Sequence, residues 1–381
     1  MNDRNRKTDT NEIDSRKQPL WYSGRYFDYP LFGIVLGLVL FGLVMVYSTS
    51  SYRADELYGD STYFAKRQLV FELVALVGMF LVSKIDYRRY ARYSKYFLYV
   101  AIALLVLVYI IGSASHGSTR WIYIGAFGFQ PSEFAKLALI VYTADICTRK
   151  PRSLNTIKGL AKMLLLPLIT IVLIAIENLS TAIICFGIVM IIVFVASPKN
   201  WHFILMGVLG ILMCVVFIAT AGYRADRIRI WLAPEKYDDG YQTMQSLYAI
   251  GSGGFFGRGL GHSIQKMGFI PESHNDMIFS VICEELGLFG AVLTIIMFIL
   301  LIYRCTVLAI NSGDRFGGLI AVGVMAHIAV QVLINISVVT NTIPPTGVPL
   351  PFISYGGSSI FFLLLEMGLM FAVARQIKPG R

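Results

Sequence analysis

Pro271-Glu272-Ser273-His274-Asn275-Asp276 runs directly into Met277–Tyr303, MIFSVICEELGLFGAVLTIIMFILLIY, and the join between the two stretches decides the fold. The second stretch carries charge only at Glu284 and Glu285. It exceeds the roughly 20 helical residues that cross a bilayer core. A carboxylate at the mouth of such a segment is costly to desolvate, so Asp276 is a functional-site candidate from the outset. Its chemistry depends on the side of the membrane it faces and on what the chain brings to it.

Nine other apolar runs repeat the pattern. The candidate spans fall at 29–49, 67–84, 96–113, 132–148, 162–177, 179–197, 202–222, 277–303, 317–341 and 353–374. Only helices and closed barrels satisfy their backbone groups in lipid, and these lengths are helical. The expectation is an all-α polytopic membrane protein with ten transmembrane helices. The 381 residues are 56% hydrophobic and 15% charged. Soluble domains carry about 25% charged residues, so a soluble globular enzyme is excluded. Residues 1–28 are polar and read as a disordered cytoplasmic tail. The run after them is too long for a signal-peptide core. Residues 29–376 form a single membrane domain, and 377–381 form a second cytoplasmic tail. Cys147, Cys185, Cys214, Cys283 and Cys305 lie in or beside apolar runs without a CxxC pair, and read as small buried residues.

Basic residues fix the orientation. With the N-terminus inside, 22 of the 33 Lys and Arg fall on the cytoplasmic side and ten outside, six of those ten in one loop, 223–276. Lys136 lies within the fourth span. Both termini are therefore cytoplasmic, and Asp276 closes a large extracellular loop between helices seven and eight. The net charge of +10 is membrane-facing basicity. No aromatic-basic platform points to nucleic acid.

Several polar groups do not belong in lipid. Gly117-Ser118-Thr119-Arg120-Trp121-Ile122 and Gln130-Pro131-Ser132-Glu133 lead into span four, with Ser132 as expected N-cap and Pro131 opening the helix. Glu133 and Lys136 share a face and can pair. A lysine one turn into a span implies function. Trp121 fits either an interfacial anchor or a site. Arg224, Arg227 and Arg229 precede a glycine-rich run, Gly251–Gly261, that contains Arg258 and is followed by Lys266. Glycines let backbone amides approach an anion, and the cations favour phosphate. The run lacks the ending of a Walker A loop. His327, Gln331 and Asn335 repeat every four residues and read as interhelical hydrogen-bonding groups. Glu284, Glu285 and Glu366 are expected to be buried or to line a cavity. Pro344–Ser359, with four prolines and three glycines, reads as a rigid re-entrant or interfacial turn.

These blocks together resemble the SEDS family (shape, elongation, division and sporulation), the group of FtsW and RodA. The resemblance spans all ten candidate helices. Its carriers are Gly117–Ile122, Gln130–Glu133 with Lys136, Tyr241-Gln242 with Gln245-Ser246, Pro271–Asp276 with Glu284-Glu285-Leu286-Gly287, and Pro349–Ser359. It implies a peptidoglycan glycosyltransferase acting on lipid II at the outer face of a bacterial plasma membrane. The implied partners are a class B penicillin-binding protein and other division or elongation complex proteins. Asp276 matches the family's essential aspartate and is the expected catalytic residue. Arg120, Trp121, Glu133, Lys136, Arg224, Arg227, Arg258, Lys266, His274, Ser354 and Tyr355 are the candidate substrate contacts. No cofactor is certain from the residues; a divalent cation, Mg²⁺ or Mn²⁺, could serve in place of the basic residues at the diphosphate. The chain departs from the family at Glu177-Asn178-Leu179-Ser180-Thr181, where Asn178 replaces a common aspartate and leaves a structural or hydrogen-bonding role.

The implied reaction inverts an α-linked donor into a β-linked product and needs one carboxylate as base. An ordinary Asp, near ~3.9, is too acidic for that work. Two outcomes are open: burial raises Asp276, or Lys136 pairs with it and holds it ionised. The long charged tail leans toward the FtsW-like, division branch. The same reaction in elongation is the alternative, as is a lipid II flippase or transporter. A scaffold recruiting division proteins would leave Asp276 and Lys136 dispensable.

Overall fold

The structure, a computed structural model, describes residues 27–115, 118–124, 127–199, 201–219 and 222–377. Residues 1–26 of the expected N-terminal tail and residues 378–381 of the C-terminal one lie outside the described residues. The chain forms helices α1 (Tyr29–Tyr58), α2 (Tyr63–Lys84), α3 (Arg88–Ile111), α4 (Pro131–Arg149), α5 (Ile157–Glu177), α6 (Leu179–Ala196), α7 (Trp201–Ala219), α8 (Gly222–Leu232), α9 (Tyr241–Ser252), α10 (Ile278–Ile310), α11 (Arg315–Val339) and α12 (Gly357–Ala374). Three short antiparallel strands, β1 (Ser113–Ser115), β2 (Ser118–Ile124) and β3 (Phe127–Phe129), lie between α3 and α4.

Among the described residues, eight helices are long and apolar enough to cross a membrane: α1, α3, α5, α6, α7, α10, α11 and α12. α2 and α4 have the length but carry charge, at Lys66, Arg67, Glu72 and Lys84 and at Glu133, Lys136, Asp145 and Arg149. α11 and α12 are mostly buried, and α7 is mostly exposed. The core therefore sits where α4, α6, α10, α11 and α12 meet.

Helix ends follow local chemistry more than apolar runs do. α1 continues past residue 49 to a left-handed cap at Gly59, φ 66°. α12 begins at Gly357 rather than 353, because Pro349–Gly356 is irregular and Phe352 is left-handed, φ 63°. Ser132 is not a cap: Gln130 takes that position and Pro131 opens α4, where its missing amide is harmless. Asn178 is a cap. Its side chain accepts from the Thr181 amide at 3.1 Å and starts α6 one residue after α5 ends.

α10 is interrupted at Gly287, φ 67° and ψ −165°. The glycine-rich run packs into this break. Arg258 and Gly259 donate their amides to the carbonyls of Glu284 and Glu285, both at 2.9 Å, and Leu288 and Phe289 donate to Gly254 and Phe255. The approach is possible because a β-carbon on Gly257 would sit 2.1 Å from the Glu285 carbonyl. On Gly287 it would sit 2.3 Å from the Gly257 amide. The expected anion cradle is thus a backbone graft: the amides of Arg258 and Gly259 satisfy carbonyls that the break sets free.

Candidate active site

Asp276 sits two residues ahead of α10 and is held by its backbone. Three successive carbonyls each accept a hydrogen bond from α11 or the proline loop. Tyr355 N donates to His274 O at 2.9 Å, Ser354 Oγ to Asn275 O at 2.7 Å, and Asn335 Nδ2 to Asp276 O at 2.7 Å. Gln68 Oε1 on α2 accepts from the Gly356 amide at 3.2 Å, closing the far side of the loop. These three bonds engage the backbone of the segment and not the Asp276 carboxylate. Its Oδ1 is shielded from solvent and accepts no hydrogen bond, although the residue as a whole keeps partial exposure. Gly347 lies alongside, where a β-carbon would be 3.8 Å from Oδ2.

Burial pushes the Asp276 carboxyl up to about 7, and the negative charge of Glu272 adds to the rise. The amides of Asp276 and Met277 and the cation of Arg227 pull the other way without reversing it. His274 is driven down to about 4, first by burial and then by Arg53, so it is neutral beside Asp276. Its ring rests between Phe64, centroids 4.8 Å apart, and Tyr355, at 5.6 Å.

Lys136 does not pair with Asp276. It is buried against Glu133 at 2.9 Å and donates to Gln331 Oε1 at 3.2 Å. Gln331 Oε1 also meets His327 Nε2 at 2.8 Å, and His327 Nδ1 meets Glu366 at 2.7 Å. These groups form one polar chain through α4, α11 and α12. Because Gln331 Oε1 can only accept, His327 Nε2 is the donor in that contact. Of the two outcomes open in the sequence, burial governs Asp276.

The other expected contacts scatter. Lys266 is buried and pairs with Glu285 at 2.7 Å and Ser48 at 3.0 Å. Ser48 also donates to Glu285 at 2.7 Å. Glu284 accepts from the Ser263 hydroxyl, from Ile264 N at 3.0 Å and from Gln265 N at 3.3 Å, with Arg258 at 3.6 Å. The two intramembrane glutamates thus anchor residues 258–266 to α10. Arg227 is exposed and donates to the Pro345 carbonyl at 3.2 Å. The side chain of Arg224 lies outside the described residues. Arg229 pairs with Asp226 on the surface.

Arg120 donates twice to the Glu177 carbonyl, at 2.7 and 3.1 Å, and closes the end of α5. It lines a cavity with Tyr109, Gln130, Ser132, Glu177 and Asn178, which holds no residue of the 274–276 segment. Trp121 is half-buried on β2, stacked near Tyr123. Arg120 therefore faces a cavity that Asp276 does not line. Sequence reasoning missed Gly347, Gln68 and the task of Asn335. The four-residue spacing marked Asn335 as inward-facing but carried no sign of what it would face. Among the described residues no group of three or more His, Cys, Asp or Glu could hold a metal ion.

The chain belongs to the cell cycle protein family of FtsW, RodA and SpoVE, whose sequence pattern matches residues 29–379. It is 40% identical to stage V sporulation protein E of Bacillus subtilis, over 90% of this chain and 95% of that protein. It is 37% identical to the probable peptidoglycan glycosyltransferase FtsW of Trichlorobacter lovleyi, over 92% and 94%. Among solved structures it superposes on a chain from work on polymerization and crosslinking by a peptidoglycan synthase complex, with a TM-score of 0.77 and 26% identity over 93% of this chain and all of that one. The Thermus thermophilus rod shape determining protein RodA gives a TM-score of 0.69 at 26% identity, over 93% and 99%.

Proposed function

We propose that this chain is a peptidoglycan glycosyltransferase that polymerises lipid II into glycan strands for septal wall synthesis, with Asp276 as general base. The observation that carries the reading is the Asp276 carboxylate, dry on Oδ1, fixed through its backbone and raised to about 7. A base works best when it titrates near the operating pH. In the reaction the C4 hydroxyl of the acceptor sugar attacks C1 of the donor. The C1–O bond to diphosphate breaks as the new C1–O bond forms, and Asp276 takes the hydroxyl proton. Diphosphate leaves as an anion, so no strong general acid is needed. Inversion at C1 follows from the single displacement.

The remaining assignments rest on this reading. α1–α7 and α10–α12 give ten spans, with α2 and α4 crossing because their charged groups are buried or lie at the ends. Both termini are then cytoplasmic, and α8, α9 and the graft into α10 form the extracellular loop. The partner is a class B penicillin-binding protein, in keeping with the synthase complex that contains the structural neighbour. A septal role accords with the FtsW relatives, which match over more than nine-tenths of the chain.

The test is conversion of lipid II by the purified chain in detergent and in proteoliposomes. The expected product is muramidase-sensitive polymer in both. Movement of lipid II across the vesicle membrane with no polymer would replace this reading with a flippase.

A further inference from the structure

We propose that Asn335 is a positioning residue for the reaction: its carboxamide clips the Asp276 backbone to the proline loop and so sets where the carboxylate points and how dry it stays. The proposal rests on the reading of Asp276 as base and adds a residue to it.

The geometry is specific. Asn335 is 1% exposed. Both N–H groups are used, to Asp276 O at 2.7 Å and to Val348 O at 2.8 Å, while Oδ1 is shielded and accepts nothing. A buried acceptor without a partner is destabilising, so the carboxamide is a poor choice for packing alone. What it supplies is two donors aimed at two separate segments. The loop needs them, because Pro344, Pro345, Pro349 and Pro351 have no amide to give. Gln331, one turn earlier on α11, donates to the next carbonyl, Pro349 O, at 2.9 Å. Gln331 reaches the loop, and Asn335 reaches both the loop and Asp276. Val348 O, fixed by Asn335, is next to Gly347, the residue that walls Oδ2. Releasing the clip should let the wall and the carboxylate move apart and admit water. The charged groups acting on Asp276 are Glu272 on its own segment, which accepts from Asn275 Nδ2, and Arg227 on α8, which donates to the Pro345 carbonyl.

The test compares wild type, Asn335→Ala, Asn335→Ser, Ser246→Ala and Asp276→Asn in lipid II polymerisation across pH 5 to 9. A misplacement of about 1 Å can cost on the order of 100-fold in rate. Asn335→Ala is expected to lower kcat by roughly 10- to 100-fold, with KM within about threefold. Its acid limb should move to lower pH, as water relieves the desolvation of Asp276. Ser246→Ala removes a buried hydrogen bond from α9 to Val339 O on α11, the helix that carries Asn335, and its limb should stay in place. If Asn335→Ala does not fold, Asn335→Ser, which keeps a hydroxyl donor, is read for the same shift. Wild-type kcat, an unmoved limb, or an equal shift in Ser246→Ala overturns the proposal. Full activity in Asp276→Asn overturns the base assignment instead, whatever Asn335 does.

Discussion

Purified Asp276→Asn protein will bind lipid II and fail to polymerise it, with a rate at least about 100-fold below wild type, because general-base catalysis contributes roughly 10²- to 10⁴-fold. Asparagine keeps the shape and leaves the backbone bonds from Tyr355, Ser354 and Asn335 intact. The loss is therefore chemical. A second consequence separates it from damage to the fold. In the folded chain Asp276 stays protonated up to about pH 7, whereas an unfolded Asp ionises above about 3.8. A raised carboxyl contributes stability that is complete below the unfolded value and is lost as pH rises to the folded one. The wild type thus loses stability between about pH 4 and pH 7, by at most ~1.4 kcal/mol per pH unit, and less because the residue is partly exposed. Asn does not titrate. The variant should gain on the wild type in thermal unfolding across that window and hold a constant advantage above it. A variant less stable than wild type at pH 8 would show that Asp276 is held for structure.

Gly257→Ala is expected to be the most disruptive single change outside the site. Gly257 has φ 78°, and its β-carbon would lie 2.1 Å from the Glu285 carbonyl and 2.6 Å from the Gly287 amide. No side chain can yield there, since both neighbours are backbone. The graft must open, which frees the carbonyls of Glu284 and Glu285 and loosens residues 258–266, including the buried Lys266–Glu285 pair. Breaking such a pair costs about 3–5 kcal/mol. Polymerisation should fall below detection and thermal unfolding should shift strongly downward. Gly254→Ala is the control. It has φ 60° but open space around the added carbon, so it should show only backbone strain of about 1–2 kcal/mol. Equal behaviour of the two variants would mean that strain, and not the close approach, governs the loop.

Much of the scaffold was legible because lipid imposes one periodicity and one length. The runs around α1, α3, α5–α7 and α10–α12 needed no tertiary information. Their ends were less so, since a left-handed Gly59 or a Phe352 turn is a local event that hydropathy does not register. α8 and α9 were hidden in a loop, being short and mixed in polarity. Asp276 stood out because a carboxylate at a span's mouth is costly and therefore conspicuous. The pairing of Lys266 with Glu285 and of Arg258 with Glu284 was not legible, because the two glutamates belong to the span that follows. The packing of the glycine run was hidden for the same reason: it depends on the break at Gly287, and a single glycine in an apolar helix does not announce a break. Asn335 lay on the correct face, but its partner is set by how the proline loop folds back.

The measurement that tests the central claim most directly is the pH dependence of single-turnover lipid II polymerisation by the purified chain. A desolvated Asp276 acting as base predicts a rate that rises with unit slope and levels off at about pH 7. A rate flat from pH 5 upward would mean that Asp276 is already ionised as an ordinary carboxylate, and would contradict the account.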